Sequence, residues 1–334
     1  MRVIRFILFL VLLSTVFISC NKDLNVNADW KDITVVYGLL DQSADTTYIK
    51  ITKAFLGPGD AVAFAKIPDS SNYPNNLEVK LYKFLGDFLT DSVLCDTLTI
   101  HNKKPYDDST SFFYYPDQLM YFTTNKLDEN YTYKLNIRNK KTGKIVSAKT
   151  NLVHDFEIGK PVTQASFPPG NPFEVSWKPA IEGKRYQLLI RFFYNEYMVV
   201  DPKVGFKKSI DWIVFNDIKS PDVPTTQPFD LYFPSDAFYS AVGSKIDTSS
   251  LVDHRTALYC DFIFSVAAGD LNTYMEVSEP SYSLVQEKPA FTNIINGIGL
   301  FSSRYNKQQA DTLWVSQITK DELKINSHTS DLGF

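Results

Sequence analysis

LDENYTYKLNIRNKKTGKIVSAKT, residues 127 to 150, decides the fold class. Tyr131, Tyr133, Leu135 and Ile137 fall on one side of the chain, and Thr132, Lys134, Asn136 and Arg138 on the other. A period of two is the signature of a half-buried strand. The polar run from Asn139 to Gly143 then turns the chain into a return strand from Lys144 to Lys149, which completes a β-hairpin.

The same period extends outward in both directions. Upstream, Ile33, Val35, Tyr37 and Leu39 share a face, Asp41 to Asp45 supplies a turn, and Tyr48 to Phe55 starts a second strand that Gly57, Pro58, Gly59 and Asp60 stop. Leu77, Val79 and Leu81 form another, and Gly86-Asp87 turns towards Val93 and Leu94. Downstream, Pro161, Pro168, Pro169, Gly170 and Pro172 interrupt regular structure. Alternation resumes with Phe173, Val175 and Trp177, then Tyr186, Leu188, Ile190, Phe192 and Tyr194, and Ala257 to Val266 is an apolar strand. The Pro-rich stretch from Asp201 to Pro234 reads as a long loop holding one strand, Asp211 to Phe215. Two short helices are expected: Ser235 caps one that ends at Gly243, and Asp270 caps Leu271 to Val277.

These patterns predict a mainly β chain of two β-sandwich domains, the second with one or two short helices. The boundaries expected are 31–151 for the first, 152–172 for a linker and 173–334 for the second. A chain of 334 residues is long enough for two such cores. The corner Leu127 to Tyr131 resembles that of fibronectin type III and immunoglobulin-like sandwiches, where a tyrosine hydroxyl bonds back to the chain entering a strand. Tyr131 or Tyr133 takes that structural part in this reading, and the Trp177 strand followed by the Tyr186 strand resembles a fibronectin type III opening.

The N-terminus carries a different signal. Arg2 and Arg5 precede an apolar run from Phe6 to Leu13, then Ser14-Thr15, Val16 to Ser19, and Cys20. A basic region, a short apolar region and a small residue before the cleavage point make a secretory signal over 1–19. A membrane span needs about 20 apolar residues, and the chain turns polar at Asn21, Lys22 and Asp23. A cysteine in the first mature position is the acceptor of a diacylglycerol group, so Cys20 is the expected lipidation site and 20–30 a flexible tether. Loss of Arg2 and Arg5 with the leader takes the formal charge from −4 to −6. That acidic balance disfavours nucleic acid, which needs clustered Lys and Arg.

Signs of catalysis or cofactor binding are sparse. His101, His154, His254 and His328 stand apart from one another and from cysteines, so neither a metal site nor a cofactor is expected. Gly297-Ile298-Gly299 lacks the third glycine of a dinucleotide fingerprint. A glycoside hydrolase needs two facing carboxylates, and Asp60, Asp107, Asp108, Asp253, Asp261 and Asp270 are the nominees, with no signature selecting a pair. Cys95 and Cys260 fall in different expected domains and read as free, buried thiols. Two aromatic runs, Phe112 to Tyr115 and Phe192 to Tyr197, could offer rings to a ligand or bury them in the sheets. Asp45, Asp91, Asp96, Asp108 and Asp311 each precede Ser or Thr in a pattern that resembles an O-glycosylation acceptor of Bacteroidota envelope proteins.

The block Phe291 to Phe301, FTNIINGIGLF, resembles an Asn-Ile-x-x-Gly-x-Gly-x-Phe segment near the end of a large family of Bacteroidota lipoproteins of unknown function. Asn293, Gly297, Gly299 and Phe301 carry the likeness, together with the Val36-Tyr37-Gly38-Leu39 opening strand and the lipidated start. Physically, the glycines suggest a bulge or a close approach of another strand. The resemblance implies an outer-membrane or surface lipoprotein, not an enzyme, with a binding or accessory role beside a TonB-dependent receptor. A second reading is a fimbrillin-type structural subunit, and a third is a carbohydrate-active hydrolase.

Overall fold

The computed structural model describes residues 31–56, 61–65, 67–101, 117–221, 226–279 and 290–334. The leader, Cys20, the tether, the Phe112 to Tyr115 run, Asp60, Asp107 and Asp108 lie outside them. The chain is mainly β. In order it forms β1 (Lys31–Leu40), β2 (Thr47–Leu56), α1 (Ala61–Ala65), α2 (Pro68–Ser71), β3 (Leu77–Leu85), β4 (Phe88–Leu94), β5 (Asp96–Ile100), β6 (Gln118–Thr123), β7 (Thr132–Asn139) and β8 (Ile145–Asn151). There follow β9 (Ile158–Lys160), β10 (Gln164–Ala165), β11 (Pro172–Trp177), β12 (Gly183–Met198), β13 (Asp201–Lys219), β14 (Phe229–Pro234) and α3 (Asp236–Lys245). The chain ends with β15 (Val252–Ala268), α4 (Gly269–Ser278), β16 (Gly297–Val315), α5 (Gln317–Ile325) and a 3-10 turn at Ser330–Leu332. Among the described residues no helix is long and apolar enough to cross a membrane.

Among the described residues three sheets form. The largest runs β13-β12-β15-β16-β1-β2-β6-β5, with β10 also paired to β16; the others run β14-β11-β9 and β4-β3-β7-β8. The hairpin from residue 132 to 151 forms as the alternation requires: along β7, Tyr133, Leu135 and Ile137 are buried while Lys134 and Arg138 face solvent. Val36, Leu40, Ile49 and Ile51 of the large sheet meet Val79, Leu81, Leu135, Ile137 and Val146 of the four-stranded sheet in a first core. A second core gathers Leu188, Ile190, Phe192, Phe262 and Phe264 with Phe173, Val175 and Trp177 of the three-stranded sheet and with Phe238, Tyr239 and Leu323 of the helices. Each such side chain contributes about 1.5–3 kcal/mol on burial. Cys95 and Cys260 are free and buried, one in each core.

β16 joins the two. Its first part, from Gly297 to Ser303, lies parallel to β1, and its second, from Arg304 to Trp314, antiparallel to β15. The sequence shows why: Phe301 is buried in the first core, Leu313 and Val315 in the second, and the polar run Ser302 to Gln309 spans the seam. A parallel pair cannot be closed by a tight turn, and here nearly the whole chain is the connection.

Several expectations need correction. The sequence reading assigns all of 173–334 to one unit, whereas Ile294 and Phe301 pack into the core of the other. The expected loop after Asp201 is instead one strand to Lys219, paired with β12 along a long exposed arm. Its outer residues are solvated, so no alternation marks it. Helix α5, which the sequence reading missed, is capped by the Ser316 hydroxyl, which accepts from the Thr319 N–H.

Candidate functional site

The residues of the resemblance block meet the opening strand directly. Val36 pairs with Gly299 and Gly38 with Phe301 in the parallel ladder. A Cβ at Gly299 would stand 2.0 Å from the Val36 carbonyl oxygen, at a backbone φ of 116°. At Gly297 it would stand 2.7 Å from the Thr34 carbonyl oxygen. Both positions therefore need glycine for close approach. Phe301 is fully buried, with its ring over the bare Gly38.

Asn293 holds this strand from outside the ladder. Its side-chain oxygen accepts from the Phe301 N–H at 3.0 Å, and its Nδ2 donates to the Phe301 carbonyl at 2.7 Å. The same Nδ2 donates to Asp270 at 2.7 Å. One side-chain amide thus replaces the missing backbone partner of an inner residue. The block is a packing device: its polar groups are spent on the backbone.

Tyr133 is buried in the first core, and its hydroxyl accepts from the Asp128 N–H at 2.8 Å. Burial pushes its hydroxyl above the ordinary tyrosine range, against the pull of that backbone hydrogen bond. Tyr131 stands half-buried before β7, with the Lys83 ammonium 3.8 Å from its ring centre.

Of the nominated carboxylates, Asp253, Asp261 and Asp270 are among the described residues. Asp253 and Asp261 lie eight residues apart on β15, about 26 Å at a strand's rise, far beyond the about 5–9.5 Å that glycoside hydrolysis uses. Asp270 sits on α4 and is engaged by Asn293. Among the described residues no three His, Cys, Asp or Glu side chains group around a metal position. His101 meets Asp117, His254 meets Asp253, and His154 lies 3.9 Å from Glu129, each a single pair.

The second aromatic run separates by face. Phe192 and Tyr194 enter the core, while Phe193 and Tyr197 lie on the outer face of the large sheet. There Phe193 stacks on Tyr259 at 4.6 Å, with the Lys207 ammonium 4.7 Å from both ring centres. Trp314 stands edge-on to Tyr259 at 5.7 Å and keeps 55% of its surface exposed. Tyr197 stacks on His254 at 4.2 Å. Beside them Arg191 grips Asp211 through two hydrogen bonds, of 2.6 and 2.9 Å. The guanidinium holds the Asp211 carboxyl below the usual carboxylate range. On this face, spread over β13, β12, β15 and β16, Trp314 is the exposed ring, while Tyr259 is buried beneath Phe193 and Lys207. Trp314 was not legible beforehand, because its register on β16 follows from pairing rather than local pattern.

The seam between the cores is polar. Gln42 donates to Glu129 at 2.6 Å and to the Val153 carbonyl at 2.9 Å, and Asn306 donates to Asp41 at 2.7 Å. Lys307 meets Asp155 at 2.6 Å. Burial raises the Asp155 carboxyl, but Lys307 and the Phe156 N–H outweigh it and leave it below its ordinary range. A comparison with protein-family models finds no match for this chain, and a search of curated proteins finds none.

Proposed function

We propose that the chain is a non-catalytic binding or accessory module of the cell envelope, lipidated at Cys20 and carried on the short tether that follows. In this reading two immunoglobulin-like sandwiches enclose the two cores. The observation that carries it is the leader pattern from Arg2 to Cys20. The placement of the open aromatic face fits it. The tether enters at the start of β1, beside Gly297, and Trp314 lies at the opposite end of β16. At a strand's rise that separation is about 55 Å, so a lipid at one end leaves the rings clear of the bilayer. A binding module beside an outer-membrane transporter needs that disposition.

Mass spectrometry of the native product tests the anchor. A diacylated Cys20 as the first residue is expected, and an unmodified Cys20 behind an intact leader overturns it. Purification from detergent-solubilised outer membrane tests the partner: a stoichiometric receptor co-eluting is the expected result, and elution of the chain alone counts against the accessory role.

A further inference from the structure

The end of the molecule that receives the tether has a surface of its own. Turn residues Lys140 and Lys141 are exposed there, and Lys144 reaches back to donate to the Asp32 backbone carbonyl at 2.9 Å, next to Lys31 where the tether arrives. Asn296 donates to the Ile145 carbonyl at 3.1 Å, and Ser147 and Ile295 bridge, so the 139–145 turn and the start of β16 form one surface. A groove of about 730 Å³ runs between them, lined by Lys144, Ile145, Asn296 and Ile298 among others. Ile145, Ile295 and Ile298 are 48%, 62% and 42% exposed.

Basic groups beside exposed isoleucines are unusual on a chain of net negative charge. Among the described residues no carboxylate lies within ion-pair distance of Lys140, Lys141 or Lys144. The Asp32 carboxylate lines the same groove and accepts from the Tyr73 hydroxyl at 2.7 Å, so the lysines of the turn outnumber the one acid beside them. From Cys20 to Lys31 the chain reaches at most about 40 Å when extended.

We propose that this tether-side end docks on the bilayer itself, with Lys140, Lys141 and Lys144 facing anionic lipid phosphates and the three isoleucines at the headgroup boundary. Charge and tether length together single out this occupant: a bilayer held within reach by the lipid presents the phosphates that these lysines lack. The docking rests on the lipid-anchor reading and deepens it, since it fixes how the protein stands on the membrane. Each lysine near an anionic surface contributes about fivefold to the docked population, falling off within a Debye length.

The test reconstitutes the acylated full chain on vesicles of phosphatidylcholine alone and of phosphatidylcholine doped with phosphatidylglycerol, and follows amide hydrogen exchange. Residues 139–146 and 295–298 are expected to exchange more slowly on the doped vesicles only, and to lose that protection at about 1 M salt, where the Debye length is ~3 Å. Combining Lys140→Gln with Lys141→Gln, both solvent-facing, is expected to lower the ratio of docked to free molecules about 25-fold. Equal exchange on both vesicles, or protection confined to the Trp314 face, overturns the proposal. Should the chain carry no acyl group and fail to float with neutral vesicles, the anchor reading has failed. Capture by the doped vesicles alone then still supports the docking surface, and capture by neither overturns it.

Discussion

A side chain of one atom decides how closely β1 and β16 approach. At Gly299 an added methyl meets the Val36 carbonyl and must adopt a backbone angle that L residues avoid. Gly299→Ala is expected to destabilise the fold by at least about 3 kcal/mol. Its urea midpoint against that of the parent checks this, and a shift under a third of that size would show that the ladder yields. Glu196 makes a second residue-scale case. It is buried, and Arg255 donates to it at 2.8 and 3.0 Å, while Arg255 also binds the carbonyls of Asp247 and Leu332. Burial raises the Glu196 carboxyl, but the Lys208 and Arg255 hydrogen bonds prevail and hold it below its ordinary range. Its folded pKa is therefore the lower one. The stability it contributes is present above the unfolded value of about 4.3 and is lost as pH falls below it. Arg255→Met leaves that carboxylate with a weaker set of partners, at a cost of about 3–5 kcal/mol near neutral pH. The difference should shrink as pH falls through the lowered folded pKa of Glu196, where the parent itself loses the charge; a cost independent of pH would assign the loss to packing.

At the scale of elements, the sequence was legible where one face is buried and the other wet. The strand carrying Tyr133, Leu135 and Ile137 and the return strand after Gly143 follow from period; the helix expected after Ser235 forms over Asp236–Lys245, but Ser235 does not cap it, its hydroxyl donating to the Asn171 carbonyl instead. β13 was not legible, because an edge strand whose outer half is solvated on both faces has no apolar alternation to read. The prolines between Asp201 and Pro234 made it look like a loop; in the structure Gly205 gives room to the Tyr197 ring. β16 was hidden for another reason: its apolar residues belong to two cores, and the polar run between them breaks the pattern. The block Asn293 to Phe301 was visible as a motif, yet its role needed the partner strand. The exposed arm makes its own prediction. Val200 and Phe206 are 90% and 53% exposed, so Val200→Ser and Phe206→Ser are expected to change stability by no more than about 0.5 kcal/mol. A larger loss in chemical denaturation would mean that the arm is covered in solution.

Over the whole molecule, the continuous β16 ties the two cores together. All three described tryptophans, Trp177, Trp212 and Trp314, belong to the second core or to strands beside it, so their fluorescence reports that half alone. Circular dichroism of the strands reports both. If β16 transmits stability, the two signals follow one transition, and Gly299→Ala in the first half lowers the tryptophan midpoint as well. Two separated transitions, with the tryptophan signal unmoved by the substitution, would show halves that unfold independently.

The opening strand also has a consequence for force. β1 is flanked by β2 on one side and β16 on the other, and the proposed tether would pull along its length. Tension from a drifting membrane or a departing partner would load both ladders in shear, so that the bonds from Thr34 to Leu40 must give way together rather than unzip in turn. Were the chain anchored as proposed, it would in this way be strongest along the line on which it is pulled.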